Sequence, residues 1–383
     1  MFILVKDNII FATMKIKNIV DLLEEWSPSI YAEEYDNVGL IVGDLENNCK
    51  GILITLDALE NVIDECIKKK YNLIISFHPI VFSGLKKFNN NSYVTKSVSK
   101  AIKNDISIFS LHTSLDNFRY GVSHCLAKSL DLNSNEVLIP KENTINKLIT
   151  YVPKKNAPQL LSELFRNGAG DIGNYNECSF STNGLGTFKG NKKSTPNFGE
   201  KEKRVEIDEV QLNLIFKIHQ KNNVLKTLFK FHPYEEVPYE LISISNKNQD
   251  IGMGSVGYLK VPLDENTFLR LIQKKLKIPI IRHSKKIGRK IKKVAVLGGS
   301  GSFAINDAKK SKADAYITSD LKYHNYFEAE NDILLIDAGH YETEQFTKKL
   351  IHDYLREKLP NFAIALSKSE TNPVKYFLNG KKE

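Results

Sequence analysis

The sequence predicts an α/β protein in which two sheet-forming segments flank an inserted α+β module. Short apolar strands alternate with amphipathic helices in the first part of the chain, the pattern of a parallel sheet covered on both faces. The last third repeats this alternation, whereas the middle has another order of elements. At 383 residues the chain is about twice the usual domain length, so two or three domains are expected.

The first part contains strands that end in polar residues. Strands are predicted at residues 51–56, 73–76 and 106–111, and helices at residues 16–26, 58–69, 94–103 and 122–130. The second strand runs into His78-Pro79, and the third runs into His112 and Asp116. In open α/β sheets this edge is where ligands bind, so these residues are candidates for a site.

The last third has the same arrangement. Strands are predicted at residues 294–297, 315–318 and 333–336, with a glycine-rich turn at 298–302, a helix reaching Ala308 and a helix at 343–356. The second of these strands leads to Asp320 and His324, and the third leads to Asp337 and His340. Polar residues therefore follow the strands in both parts of the chain.

The middle segment predicts a different module. Strands at 147–153, 210–218 and 239–244, helices at 157–167 and 221–229, and a loop-rich stretch at 168–203 resemble a βαββαβ ferredoxin-like order. The predicted domains are residues 14–146 and 251–383, which together form the α/β part, and the insert at 147–250.

Composition excludes several classes of protein. The net charge is +9, but the lysines are scattered and the densest basic cluster, at 285–293, lies in a predicted linker, which argues against nucleic-acid binding. Four cysteines without CxxC spacing argue for a reducing, cytoplasmic compartment and against a thiolate zinc site. No apolar run is long enough to span a membrane. Residues 1–13 lack the features of a signal peptide, and Met14 is an alternative start.

His340 and Glu344 are a candidate metal-binding pair. They are four residues apart, so a helix beginning near His340 would place both on one face. Nitrogen and carboxylate ligands suit zinc, manganese or iron. Taken singly, each of these residues has a structural interpretation. The His340 and Glu344 pair is typical of a solvated helix face, His78 is typical of a loop cap, and Asp116 is typical of a turn or a helix N-cap. Those readings do not explain why three strand ends carry His or carboxylate groups, and a carboxylate such as Asp116 or Glu344 can bridge two cations.

Five ordered motifs around these residues resemble a known family. They lie at residues 32–40 (AEEYDNVGL), 76–82 (SFHPIVF), 112–116 (HTSLD), 319–324 (SDLKYH) and 337–344 (DAGHYETE). Together they resemble the GTP cyclohydrolase 1 type 2 homologues, also called NIF3-like or DUF34 proteins, which have a dinuclear metal centre. The resemblance extends from Met14 to Leu378. The insert is similar to the PII/CutA-like domain of longer members, through motifs at 168–175, 178–181, 184–188 and 232–239.

The resemblance implies a fold, a site and an assembly. The fold would be NIF3-like, with two α/β sheet halves and an inserted ferredoxin-like (PII/CutA-like) α+β domain. Motif by motif, the metal ligands would be His78, Asp116, His340 and Glu344, holding one or two divalent cations, zinc, iron or manganese. Asp320 and His324 would lie in the pocket as catalytic candidates. His324 would act as acid or base, or would orient a ligand. The implied assembly is a homohexamer.

The chain departs from the family at Phe77. Relatives usually read His-His-Pro where this chain reads Phe77-His78-Pro79. Phenylalanine donates no lone pair, so one of the two metal positions is expected to be weakened, vacated, or completed by His112, His324 or water. At Tyr35, where many relatives have tryptophan, an aromatic ring is retained.

Two hypotheses for function follow. The first is a metal-dependent hydrolase in which metal-bound hydroxide attacks a polarised substrate, with opening of a purine ring as the reaction that the resemblance implies and a nucleotide as the small-molecule substrate. The second is a metal-binding scaffold or regulator without turnover, which would use the inserted domain. Loss of the histidine at position 77 favours the second hypothesis.

Overall fold

A computed structural model describes residues 14–377, with only the backbone described at 134 and 135. The prediction for residues 1–13 lies outside this range. The described chain divides into two compact units. The larger unit is formed by the chain before and after the insertion, and the smaller unit is Lys141–Asn248. The predicted limits at 146/147 and 250/251 stay predictions. In the described range, no helix has the length and apolar character needed to cross a membrane.

The elements are numbered along the chain. The strands are β1 (Gly39–Val42), β2 (Ile52–Thr55), β3 (Leu73–Ser76), β4 (Ser107–Ser110), β5 (Asn133–Lys141), β6 (Ile145–Pro153), β7 (Phe180–Lys189), β8 (Arg204–Lys217), β9 (Tyr239–Ile244), β10 (Asn248–Leu263), β11 (Arg282–His283), β12 (Ile291–Ser300), β13 (Ala315–Ser319), β14 (Leu334–Asp337) and β15 (Ile364–Leu366). The helices are α1 (Ile16–Trp26), α2 (Glu60–Lys68), α3 (Tyr93–Lys103), α4 (His112–Asp116), α5 (Val122–Ser129), α6 (Ala157–Arg166), α7 (Lys221–Phe231), α8 (Glu265–Leu276), α9 (Ile305–Lys310), α10 (His340–Glu344) and α11 (Thr347–Lys358).

One sheet of the larger unit has the order β1-β4-β3-β2-β15. Its strands pair in parallel, except that β1 pairs antiparallel with β4 at the edge. Because successive side chains point to opposite faces, Ile52 and Ile54 pack with α1 and α11, whereas Leu53 packs with α2 and α3. Helices thus cover both faces, and every residue of β2, β3 and β4 is buried, as their continuous apolar runs predict.

The other sheet of this unit has the order β11-β14-β13-β12-β10-β5. β12, β13 and β14 pair in parallel, and β10 and β11 pair antiparallel beside them. Phe268 and Ile272 of α8 pack on one face, and Ile305 of α9 packs on the other. The predicted α/β class with two sheets is confirmed. In each sheet the parallel strands end side by side, which holds the residues that follow them close together.

The smaller unit has the βαββαβ order that the sequence predicts. Its elements are β6, α6, β7, β8, α7 and β9, and the strand order in space is β7-β8-β6-β9 with every neighbour antiparallel. This is a ferredoxin-like arrangement. Leu160 of α6 and Val224 of α7 pack against Leu148 and Leu212 of the sheet, so this unit has a core of its own.

Two predicted segments differ in detail from the structure. The stretch at 168–203, predicted as loop-rich, contains β7. Its residues are mostly exposed, so β7 lacks the apolar alternation of a half-buried strand and is held by its pairing with β8. The helix predicted at 343–356 is interrupted between α10 and α11, where the Gln345 side chain donates hydrogen bonds to the carbonyls of Glu342 and Leu276.

Candidate metal centre

Side chains that can bind a metal converge where parallel strands of both sheets of the larger unit end. His78 follows β3 by two residues, and His340 follows β14 by three. His340 and Glu344 are the first and last residues of α10, so they leave the same face of the helix, as predicted. One ligand atom from each of His78, His340 and Glu344 lies within 4.8 Å of the others. Residues more than two hundred positions apart in sequence thus form one cluster.

Glu344 lies between the two imidazole rings. Its Oε2 is 3.1 Å from Nε2 of His78 and 3.3 Å from Nε2 of His340. Neither contact has good hydrogen-bond geometry, and Oε2 is buried without a hydrogen-bond partner. Burial alone would raise the pKa of Glu344, but the two histidines lower it to about 2. A buried carboxylate oxygen that faces two ring nitrogens is an arrangement that one cation would satisfy.

Asp116, the last residue of α4, adds a second buried carboxylate. Its Oδ1 is buried and has no hydrogen-bond partner in the described part of the chain. Burial and the nearby charge of Glu344 raise the pKa of Asp116 well above its usual value, while His78 and His340 act in the opposite direction. An unpaired buried carboxylate is costly, and a cation would remove that cost. Asp116 therefore fits the role of an additional metal ligand.

Each histidine near the cluster is held at Nδ1 by a carboxylate. Nδ1 of His78 is 2.8 Å from Asp57, and Nδ1 of His340 is 2.7 Å from Asp320. This contact orients the ring and leaves Nε2 to face Glu344, as in carboxylate–histidine–metal arrangements. The same contact occurs at a third ring, where Nδ1 of His112 is 2.7 Å from Asp36.

These carboxylates control the charge of the rings. Burial would lower the pKa of His78, but Asp57 and Glu344 raise it to about 10. Burial likewise opposes protonation of His340, whereas Asp320 and Glu344 raise its pKa to about 11. These raised pKa values favour the protonated rings, whose charge would balance the carboxylates of the cluster. A divalent cation would supply equivalent charge in place of the Nε2 protons, and the nitrogen and oxygen donors fit zinc, iron or manganese.

The backbone at the centre is constrained at several residues. Gly299 at the end of β12 has φ +69°, and a Cβ there would lie 2.3 Å from Oε1 of Glu344. Glycine is therefore required at position 299 for the Glu344 carboxylate to approach the backbone of β12. His112 and Asp320 also have positive φ, +27° and +57°, although neither is glycine. Such conformations persist where the surrounding structure holds them, and they concentrate at functional sites.

Phe77 lies in the core rather than in the cluster. Its side chain is fully buried, and its ring centroid is 4.8 Å from that of His78 and 5.5 Å from that of His112. The rings of His112 and His78 are 5.4 Å apart, so His112 is adjacent to the cluster. His324 is exposed, and its ring contacts Tyr323 and Phe327. Of the two histidines expected as replacements for the missing ligand, His112 is therefore the one beside His78.

Two exposed aromatic rings flank this region. Tyr35 and Phe82 are 65% and 49% exposed, and their ring centroids are 6.4 Å apart. Phe82 is also 6.1 Å from the ring of His112. Partial burial and then the charges of Glu33, Asp116 and Asp36 raise the pKa of Tyr35. This pair offers a planar, apolar surface next to the charged cluster.

The structure places the sequence-predicted site residues in different surroundings. His78, His340 and Glu344 are brought together, with Asp116 beside them. Asp320 binds His340 and accepts a hydrogen bond from Ser300, and the catalytic roles of Asp320 and His324 stay predictions. Sequence reasoning missed Asp36 and Asp57. Asp57 directly follows a predicted strand, and Asp36 lies in the motif at 32–40. The sequence therefore indicated that both lie near the site, but not which histidine each of them contacts.

Comparisons with known proteins agree on one family. A family model described as Duf34/NIF3 (NGG1p interacting factor 3) matches residues 14–373. A GTP cyclohydrolase 1 type 2 homolog of Bacillus subtilis is 36% identical over 363 residues, which cover 93% of this chain and 97% of the relative. Another GTP cyclohydrolase 1 type 2 homolog, from Halalkalibacterium halodurans, is 34% identical over 368 residues, which cover 94% of this chain and 99% of the relative.

Solved structures give the same result. A Bacillus cereus protein related to NIF3 has a TM-score of 0.82 and 33% identity, with 95% of this chain and 100% of that chain covered. Staphylococcus aureus protein SA1388 has a TM-score of 0.75 and 30% identity, with 95% and 99% covered. The similarity thus extends over both units of the chain.

Proposed function

This chain belongs to the Duf34/NIF3 family, and from that premise we propose that it is a metal-dependent hydrolase with His78, Asp116, His340 and Glu344 as metal ligands. The observation that carries the proposal is the buried Oε2 of Glu344, which faces Nε2 of two histidines whose Nδ1 atoms are held by carboxylates. These residues would hold a divalent cation, which would supply a Lewis acid able to lower the pKa of water and to polarise a substrate.

Each residue near the centre has a defined part in this proposal. Asp57 and Asp320 fix the orientation and protonation of His78 and His340, and Asp320 thus acts through His340. His324 is the proposed acid–base group. Tyr35 and Phe82 provide a surface on which a planar ring can stack.

The proposed substrate class is a purine nucleotide. The curated relatives carry the name GTP cyclohydrolase 1 type 2 homolog, and water addition at C8 of a guanine would open its ring. The exposed ring pair beside the charged cluster supports a planar substrate.

The proposed assembly is the homohexamer expected from the resemblance, and light scattering on the purified protein tests it.

The first experiment measures metal content. Elemental mass spectrometry compares untagged native protein with two variants, Glu344→Gln and Glu357→Gln. The second variant is the control, because Glu357 is an exposed residue of α11. We expect native protein and Glu357→Gln to retain metal, and Glu344→Gln to hold at least about tenfold less. Equal metal in all three proteins would contradict the assigned centre.

The second experiment measures turnover. Metal-loaded protein, metal-depleted protein and His324→Gln are incubated with purine nucleotides, and loss of the intact ring is followed by absorbance and mass spectrometry. Turnover only in the metal-loaded protein, reduced in His324→Gln, would support the hydrolase. A protein that retains metal but opens no nucleotide would favour the scaffold function.

The scaffold function remains a second candidate because of Phe77. At position 77, where the family resemblance leads us to expect a second histidine, the chain has a ring that is fully buried in the core. One ligand of the expected two-metal site would therefore be lacking unless another group replaces it. A structural metal needs no free coordination position, whereas a catalytic metal keeps one for water or substrate.

A further inference from the structure

The smaller unit, which carries none of the proposed metal ligands, contains a cavity of about 580 Å³. It is lined by residues of β6, β7 and β8, of the loop between β7 and β8, and of the segment after α7. The lining residues that matter for recognition are Phe188, Phe198, Tyr234, Glu209, Glu235 and Glu236. The volume is in the range of small-molecule sites, and such sites combine apolar walls with a few polar groups.

One wall of the cavity is aromatic. The ring of Tyr234 lies 5.8 Å from that of Phe188, at an interplanar angle of 58°, and 5.9 Å from that of Phe198, at 77°. The face of an aromatic ring is electrically negative. Nζ of Lys155 lies 5.0 Å from the centroid of Phe198, so a ring of this wall already attracts a cation within the protein.

A carboxylate is fixed beside this wall. Oε1 of Glu209 accepts a hydrogen bond of 2.5 Å from the Tyr234 hydroxyl. Burial and the adjacent Glu209 raise the pKa of Tyr234, so the Tyr234 hydroxyl remains the donor of this hydrogen bond. A Cβ at Gly186 would lie 2.0 Å from Oε2 of Glu209, so the missing side chain makes room for the carboxylate. Among the described residues, Oε2 accepts no hydrogen bond.

The charge around the cavity is opposite to that of the whole chain. Three glutamates, Glu209, Glu235 and Glu236, and one lysine, Lys189, line the cavity, and Lys155 lies against the Phe198 ring, which leaves one excess negative charge. The chain as a whole carries +9. Glu235 also accepts a hydrogen bond of 2.7 Å from the Thr195 backbone, which ties the loop after β7 to this wall.

We propose that this cavity binds a small organic cation that carries an ammonium group. The rings of Phe188 and Tyr234 would contact the cationic group, and Glu209 would balance its charge. An anion would be repelled by the glutamates, and a neutral apolar molecule would bury Glu209 without compensating its charge. The assignment does not depend on the proposed hydrolase function, because its residues lie in the other unit.

The test compares two molecules of the same shape, choline and its neutral isostere 3,3-dimethylbutan-1-ol. Binding to the full-length protein is measured by ligand-observed NMR titration. We expect choline to bind and the neutral alcohol to bind roughly tenfold more weakly. Glu209→Gln keeps an acceptor for Tyr234 but removes the charge, and should weaken choline binding by a similar factor. Glu163→Gln, on α6 and outside the cavity, should leave choline binding unchanged.

Each other outcome overturns the proposal. Equal binding of the two molecules would identify an apolar cavity without charge selection. No choline binding up to about 10 mM, well above the range of ordinary small-molecule sites, would exclude a site for this class of cation. Unchanged choline binding in Glu209→Gln would place the cation elsewhere. Near-ultraviolet circular dichroism of each variant checks that the fold is retained.

Discussion

At the scale of single residues, Phe77 bears on how many metals we expect the proposed centre to hold. Its ring fills the core of the first sheet between β3 and the helices that cover it, and it contacts His78 without offering a lone pair. The nitrogen donors described at the cluster are then His78 and His340, with His112 adjacent. We therefore expect one well-formed metal position in the native protein.

Phe77→His tests this expectation. The new imidazole would lie next to His78 and His112, so metal content should rise from about one equivalent per chain towards two. Burying a polar ring in an apolar core should also lower the free energy of unfolding by roughly 1–3 kcal/mol. Elemental mass spectrometry and denaturant unfolding measure the two effects. Two equivalents in the native protein would mean that His112 or another group completes the second position.

Gly299 is the residue whose lack of a side chain lets Glu344 reach the centre. Gly299→Ala would require a Cβ 2.3 Å from Oε1 of Glu344 at a backbone φ of +69°. We expect a loss of at least about 1 kcal/mol in stability and a clear loss of bound metal, because the carboxylate must move. Thermal unfolding and metal analysis give the result.

The matched control is Gly84→Ala. Gly84 has open space around its Cβ position and no positive φ. This variant should retain both stability and metal. If Gly299→Ala also retained its metal, the close approach of Glu344 to β12 would not be needed for binding.

At the scale of elements, the sequence predicts the buried parts of the fold well. β3 runs from Leu73 to Ser76 as expected, because a short apolar run bounded by polar residues has few other interpretations. β7 was missed because an exposed edge strand carries no such run. The break between α10 and α11 depends on the contact of Gln345 with a carbonyl of α8, which no local pattern reveals.

The same difference applies to the site. His340 and Glu344 were predicted to share a helix face because their spacing within one helix is enough. The partners Asp57 and Asp36 were not predicted, because Asp57 binds a histidine 21 residues away and Asp36 one 76 residues away. Such pairings depend on the order of strands in the sheet, which the sequence pattern leaves open.

Helix α2 makes a contact that gives stability a dependence on pH. Glu65 accepts hydrogen bonds from the backbone of Lys368 and Ser369 and from the hydroxyl of Ser367, and so holds the segment after β15. Burial would raise the pKa of Glu65, but these donors lower it below its usual 4.5. A lowered pKa in the folded state stabilises the protein above the unfolded pKa, and this contribution is lost as the pH falls through the folded value.

Glu65→Gln should therefore be less stable than native protein at pH 7, and the difference should shrink as the pH falls below about 4.5. Thermal unfolding at a series of pH values measures it. Glu357→Gln, which changes an exposed glutamate of α11, serves as the control and should show no such convergence. A difference between Glu65→Gln and native protein that stays constant with pH would show that the carboxylate charge of Glu65 is not what stabilises the segment.

At the scale of the whole molecule, the insertion interrupts the larger unit at a single place. β5 and β10, which lead into and out of the smaller unit, are neighbours in one sheet. Gly252 of β10 approaches the backbone of Ile139 and Pro140, and Gly254 approaches Leu138, so the chain leaves and returns on adjacent antiparallel strands. All four proposed metal ligands lie in the larger unit, and the smaller unit has its own core.

This topology predicts that the two units can be separated. Replacing residues 142–247 by a short glycine-serine linker should leave a folded protein with unchanged metal content, because the linker only has to join two neighbouring strands. The same deletion should abolish choline binding, because it removes the whole cavity. Elemental mass spectrometry and NMR titration of the deletion variant measure the two properties. Introducing Glu344→Gln into the shortened protein is the control, and it should lose its metal. If the shortened protein folds but binds no metal, the smaller unit contributes to the metal centre, and the assignment of all its ligands to the larger unit is wrong.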